Sequence, residues 1–477
     1  MTDRALSGTL LGAGLCAATV LGAFGPAALM LVVFPLAAVV AAGWLLVTQR
    51  FYAYLGFAAT MWLVAPAVRR IVDWQSTYHD FSPVNAVPAL VSLMAVPWVL
   101  RVRRRLHHDV AWLFVLATVV MAYALAVGVV RNGVVSAAAD VPLIVAPLVL
   151  GLFVLMVPDD DARVRAFVAG LAVWGAILLG GYAVVQFQVL PPWDEAWMVD
   201  SGTGNLGEPV AGEFRTFSTL GTASYLAQVL CAMLLVLVAE RRLPLQLVAG
   251  GAALAGLGLT LSRQGWLALV VGLLVLVALR RLRAVRLLAL AVVLFVVLMS
   301  TGSPIVERIT DRFEETRTEG TEDTSLVDRY WFQYAVAPDA LRDLDGSGMG
   351  ATGRAALVSG GSHVTAARYV SFDSGVFESL VRYGSVGGLA LLGSLVVVAV
   401  RLARRSRRGT VFDAACAAAV CALTFGMLFQ DTQRGAFGVM LWTLLAVQGR
   451  ASVPAADSAP EPQETAAGEL AEQPVGR

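Results

Sequence analysis

The chain has 477 residues, of which 58% are hydrophobic and only 14% charged, and its formal net charge is +1. That balance is far from the one a soluble globular domain needs, and it makes lipid the main solvent of the fold. Scattered arginines at near-zero net charge exclude a nucleic-acid surface, which needs a concentrated basic face. The four cysteines, Cys16, Cys231, Cys416 and Cys421, all fall inside apolar runs and support neither a disulfide framework nor a metal cluster.

Apolar runs of fifteen to twenty-five residues follow one another along the chain, the length that crosses a ~30 Å hydrocarbon layer as helix. In chain order the candidate spans are 7–24, 27–47, 51–67, 83–100, 110–130, 141–157, 166–190, 219–239, 246–262, 265–280, 287–301, 384–401, 412–429 and 435–448. The first is followed at once by a second span and lacks a cleavage site, so it is kept as a span rather than a signal peptide. The expected fold is all-α: a polytopic transmembrane helical bundle of about 12–14 spans occupying residues 1–450. Residues 451–477, rich in Ala, Pro and Glu with no apolar period, read as a disordered cytoplasmic tail.

Positively charged loops resist translocation, so arginine placement sets the orientation. Alternating the spans from a cytoplasmic N-terminus puts Arg101, Arg103, Arg104, Arg105, Arg241, Arg242, Arg280, Arg281, Arg283, Arg401, Arg404, Arg405, Arg407 and Arg408 on one side, the cytoplasm. The outer side receives the sparse loops 68–82, 131–140, 191–218, 262–264 and 430–434 together with one large segment, 302–383. This large loop is expected to be partly helical. Ser325 with Asp328 forms a capping-box signal, and Tyr330, Trp331, Tyr334 and Ala335 recur at helical spacing until Pro338 is expected to stop the run. The sequence Asp345, Gly346, Ser347, Gly348, Met349, Gly350 then reads as a flexible turn. A second helix is expected from about Asp373 into the span at 384, with Val376, Phe377 and Leu380 on the face of Asp373, and the i,i+4 pair Glu378 and Arg382 pointing elsewhere.

Three outer features could carry chemistry. Arg263 interrupts an otherwise continuous apolar region in Leu259, Thr260, Leu261, Ser262, Arg263, Gln264, Gly265, Trp266. A guanidinium near membrane depth costs several kcal/mol unless it meets a counter-charge or a wet cavity, so it is either an anion site or a turn residue snorkelling to the interface. Arg215, in Glu213, Phe214, Arg215, Thr216, Phe217, lies at the same outer level. Two such forks can converge on one diphosphate through paired charge-assisted bonds; the bland alternative is a surface arginine paired with Glu213 or Glu208. Asp373 shares a helix face with apolar residues and is either a desolvated general base or the cap of its helix. His363, the single histidine of the large loop, is a mobile surface residue or a rival base. Arg69 and Arg70 read as ordinary boundary arginines.

The order of these pieces resembles the O-antigen ligase and O-antigen polymerase superfamily: an arginine motif before a span at 214–217, the 262–266 motif, and a large late loop ending in 373–388. The resemblance implies a GT-C-like membrane glycosyltransferase in the cytoplasmic (inner) membrane. Its donor would be a polyprenyl-diphosphate-linked glycan and its acceptor a glycan or lipid-glycan, with no cofactor and no metal. It further implies that arginines, here Arg215 and Arg263, hold the diphosphate and that a base in the late loop activates the acceptor. In the ligase branch that base is a histidine, where this sequence has Asp373, a departure that leans towards the polymerase side or a divergent ligase. The competing reading is a lipid-linked-glycan flippase, which would be expected to line a mid-membrane path with charge; here the spans read as nearly free of acids and bases. A peptidoglycan polymerase of the shape, elongation and division type ranks lower because it usually has fewer spans.

Overall fold

The apolar runs fold as helices in the computed structural model, which describes residues 24–78, 82–101, 108–157, 161–201, 206–279, 324–353, 355–358, 372 and 374–450. The chain is an all-α polytopic membrane protein. In chain order the helices are α1 (Ala27–Val47), α2 (Phe51–Gln75), α3 (Val87–Leu93), α4 (Val96–Arg101), α5 (His108–Asn132), α6 (Val134–Met156), α7 (Asp161–Val189), α8 (Pro192–Asp200), α9 (Ala223–Leu237), α10 (Leu243–Leu259), α11 (Arg263–Ala278), α12 (Thr324–Arg342), α13 (Ala355–Val358), α14 (Gly375–Ser406), α15 (Val411–Gly426) and α16 (Gly435–Arg450). Among the described residues seven stretches are long and apolar enough to cross a membrane, and α9, α10, α11 and α15 are shorter apolar helices. Residues 7–23 of the first expected span, the expected span 287–301 and the tail 451–477 lie outside the described residues, as do 302–323, 354, 359–371 and 373 of the large loop.

Local chemistry sets several boundaries. Thr222 caps α9 by accepting from Tyr225 N, and Thr410 with Asp413 forms a reciprocal capping box at α15. Pro35, Pro66, Pro142 and Pro147 sit inside helices, which a bundle tolerates because neighbouring groups re-satisfy the freed backbone. Pro338 also lies inside α12 rather than ending it, and α12 begins at Thr324, one residue ahead of the predicted cap. The physical reason is packing: Val336 and Ala340, one helical turn apart across Pro338, are buried against Leu380 and Val381 of α14.

Polar contacts sort the connections into two ends. At one end Arg450 pairs with Asp161 at 3.1 Å and donates to the Val154 and Val157 carbonyls, while Arg165 pairs with Asp413 at 3.3 Å and Gln448 donates to Asp413 O. This is the end that the arginine count assigns to the cytoplasm. At the other end Thr216 N donates to Leu259 O at 3.1 Å, Arg70 to Ser218 O at 2.6 Å, Arg131 to Gly346 O at 2.5 Å and Val376 N to Met427 O at 3.0 Å. The 29-residue α7 joins the two ends, a rise of about 43 Å, enough to cross a bilayer.

The segment 345–350 corrects the expectation of a flexible turn. Met349 N donates to Ala124 O, Ser347 N to Val381 O, Gly348 N to Arg382 O, and Asn132 Nδ2 to the carbonyls of Ser347 and Met349. Gly348 has φ +78°, and a Cβ there would lie 2.3 Å from Gly128 N. Glycine therefore serves close backbone approach between α5 and α14 rather than freedom. Gly348→Ala is expected to lower stability by about 1–3 kcal/mol, since neither the backbone nor its neighbour can give. Gly250→Ala, with open space around it, is expected to leave the thermal unfolding midpoint in detergent unchanged, and equal melting of both variants would contradict this assignment.

Candidate active site

The segment that carries Arg215 is fixed by a buried polar network. Arg70 pairs with Asp194 at 2.7 Å, and its guanidinium lies 5.0 Å over the Phe217 ring. Asp194 also accepts from Tyr182 and Gln186, and Gln186 Oε1 accepts from the backbone N–H of Phe217 and Ser218. Arg69, equally buried, pairs with Asp73 at 3.0 Å and lies over the Tyr78 and Trp197 rings. These two are thus not ordinary boundary arginines. The helix α2 runs eight residues beyond the apolar run that ended at 67, because its charges are paired inside the protein rather than left to lipid.

The docked segment meets the turn before α11. Arg215 Nε donates to Thr260 O at 3.0 Å and Thr216 N to Leu259 O at 3.1 Å, so the segment that carries Arg215 contacts the turn that precedes Arg263. Arg263 is the first residue of α11, and its side chain is exposed, while that of Arg215 is half-buried. Ser262 holds the cap position of α11 but makes no cap bond; its Oγ and the Thr216 Oγ1 are buried without a hydrogen-bond partner. Ser218 and Leu261 both have φ +49°, a left-handed backbone that side-chain-bearing residues rarely adopt and that concentrates at ligand sites. Two guanidiniums, two unspent hydroxyls and the positive dipole end of a helix together suit an anion.

A second cluster lies where none was expected. Arg382 is fully buried: its NH1 donates to Asp431 Oδ2 at 2.8 Å, its NH2 to Thr352 Oγ1 at 3.0 Å and to Glu378, and its Nε faces Asp140 at 3.6 Å. Arg434 donates to Glu378 at 2.7 Å and faces Asp140 at 3.9 Å. Glu378 and Arg382 therefore point into the bundle, correcting the expectation that they point away. The apolar face of Val376, Phe377 and Leu380 packs instead towards α12, so the start of α14 is covered on both sides. The spans are correspondingly less free of charge than they read, and Asp140 belongs to α6 rather than to a loop. Burial lifts the Asp431 carboxyl, Arg382 draws it down and Glu378 pushes it up, leaving it above the ordinary carboxylate range. Burial works against the charge of Arg434, but Glu378, Tyr225 and Asp140 more than offset this and hold it above its ordinary value.

Asp373 and His363 lie outside the described residues. Their flanks do not: Ser374 caps α14 by accepting from Phe377 N, Gly375 lies against the backbone of Gln430 and Asp431, and Gln430 donates to Ser224 O just beyond the Arg215 segment. The described residues that follow the late loop thus lie at the end that carries the Arg215 segment. Sequence reasoning missed Asp140, Asp431, Arg434 and Thr352. One usable signal existed, the polar run 430–434 between two apolar spans, which merited the argument applied to Arg263. Among the described residues no group of histidines, cysteines and acids has metal-holding geometry.

No curated protein matches the chain. The resemblance to the O-antigen ligase and polymerase superfamily is shown over residues 248–392, from α10 into α14, which match the family described as O-Antigen ligase.

Proposed function

We propose that the protein forms glycosidic bonds from a polyprenyl-diphosphate-linked glycan on the outer face of the cytoplasmic membrane, as a polymerase or ligase of cell-surface polysaccharide. The observation that carries this reading is the docking of the Arg215 segment on the turn that opens α11, with Arg215 bonded to Thr260 O and the Ser262 and Thr216 hydroxyls buried and unspent. The donor diphosphate would lie there, bound by Arg215 and Arg263. As the anomeric carbon–oxygen bond breaks, negative charge grows on the leaving diphosphate, so fixed guanidiniums act most strongly in the transition state. The acceptor hydroxyl attacks the anomeric carbon while its proton passes to Asp373, with His363 the rival base, and polyprenyl diphosphate departs. The arginine pair supplies the charge neutralisation that a metal supplies in nucleotide-sugar enzymes, so no metal is required.

The buried charges of the Arg382 cluster revive the flippase as a second reading, since intramembrane charge is expected along a transport path. They are paired with one another and gathered at one end, which favours a structural part in a surface enzyme. The two readings separate in proteoliposomes given a lipid-diphosphate oligosaccharide. Bond formation is expected in the intact protein, with Asp373→Asn slowing it about 10²–10⁴-fold and His363→Ala leaving it near the native rate. The reverse pattern would make His363 the base. Translocation without any new glycosidic bond would sink the enzyme reading.

A further inference from the structure

Ser218 follows the Arg215 motif and has φ +49°, a left-handed backbone that a residue with a side chain rarely adopts. Every polar group it owns is spent on helices α2 and α7. Its N–H donates to Gln186 Oε1 at 2.8 Å, its carbonyl accepts from Arg70 Nη2 at 2.6 Å, and its Oγ donates to Leu179 O at 2.8 Å. On either side, Phe217 N donates to the same Gln186 oxygen at 3.1 Å and Thr219 Oγ1 donates to Leu63 O.

The amide of Gln186 is itself held in one orientation. Its Nε2 donates to Asp194 Oδ2 at 2.7 Å, which leaves Oε1 as the atom that faces the two backbone N–H groups. Asp194 pairs in turn with Arg70 at 2.7 Å, and both side chains are buried. An ion pair so placed is often no more stabilising than apolar packing of similar volume, but it defines one geometry among its members. Left-handed backbone at a serine likewise persists only where the surroundings over-determine it. The geometry fixed here is that of the chain leaving Arg215, and the bonds of Thr216 N to Leu259 O and of Arg215 Nε to Thr260 O tie the same segment to the turn before α11.

We propose that Gln186 and Ser218, backed by Arg70 and Asp194, are positioning residues that hold the 215–218 backbone in the one conformation that aims the Arg215 guanidinium at the donor diphosphate. The proposal rests on the reading that Arg215 binds that diphosphate, and deepens it by naming what presents the arginine. The four residues act through the backbone of Phe217 and Ser218 and touch no substrate. Relaxation of Ser218 to a negative φ turns the chain ahead of it, and a misplacement of about 1 Å is enough to cost a reacting group much of its effect.

The test uses the full-length protein in nanodiscs with a lipid-diphosphate oligosaccharide as donor and a glycan acceptor. Gln186→Met keeps the length of the side chain and removes the oxygen that both N–H groups bond. It is expected to lower kcat about tenfold or more with donor KM within about twofold of native, the split that marks a group acting in the transition state. In an Arg215→Ala background the same change is expected to cost less than about twofold further, because the arginine it aims is gone. Ser218→Ala and Ser218→Gly both lose the bond to Leu179 O, but only glycine holds a positive φ without strain. Ser218→Gly is therefore expected to keep a kcat well above that of Ser218→Ala. Native kcat in Gln186→Met would overturn the proposal, as would an equal fall in the native and Arg215→Ala backgrounds, which would make the network a support of the fold alone. Equal kcat in the two Ser218 variants would overturn it too, and decides the matter where Gln186→Met does not fold. Native kcat in Arg215→Ala would bring down the donor reading and the proposal with it, whereas the preceding results, obtained with Arg215→Ala slow, strike the proposal alone.

Discussion

Arg263→Ala is expected to lower the rate of glycan transfer about 10²–10³-fold, the loss typical of removing one fixed group that stabilises transition-state charge. The side chain is exposed at the first turn of α11, so the thermal unfolding midpoint should stay within error of native. Arg215→Ala is expected to have a comparable effect on rate, and it also gives up the bond to Thr260 O, worth about 1 kcal/mol of stability. Lysine at either position should recover only part of the activity, because an ammonium retains the charge without the planar two-bond fork. Initial-rate kinetics on the two alanine variants separate chemistry from binding: a fall in kcat with donor KM nearly unchanged is the signature of an interaction made mainly in the transition state. A rise in donor KM alone would mean that the arginines bind ground state and transition state alike.

Arg382→Ala is expected to be the most destabilising single change in the described bundle, about 3–5 kcal/mol, because it leaves Asp431, Glu378 and Asp140 buried with Arg434 as the remaining cluster cation. Removing charge from both sides should restore much of this. Arg382→Met combined with Asp431→Asn is expected to melt above Arg382→Met alone, a non-additivity that marks direct coupling. Equal melting of the single and double variants would mean that the cluster carries no electrostatic debt.

Much of the architecture was legible because hydropathy and charge are read one residue at a time. The runs that became α1, α5, α7 and α14 could be placed from apolar length alone, since lipid demands it. Arg263 could be singled out because it is a charge where an apolar residue was due, and Arg215 because it stands just before a span at the same outer level. Other features depend on pairs of distant residues and leave no local trace. Arg382 looked like half of an exposed helical pair with Glu378 because its other partners, Asp431 and Asp140, are 49 and 242 positions away. Glycines 346, 348 and 350 looked like freedom because composition does not distinguish a loose turn from backbone threaded between helices. Pro338 looked like a stop signal because propensity does not see that α12 is held against α14 on both sides of the proline.

The central claim, that Arg215 and Arg263 hold a lipid-linked diphosphate at the N-terminus of α11, is tested most directly by the affinity of the protein in nanodiscs for a sugar-free polyprenyl diphosphate. Comparison is with the double variant Arg215→Ala/Arg263→Ala. The native protein is expected to bind it, and the double variant to lose at least about 100-fold, since each charge-assisted pair is worth about 1.5–3 kcal/mol. Equal affinity in the two proteins would contradict the assignment and move the donor site elsewhere in the bundle.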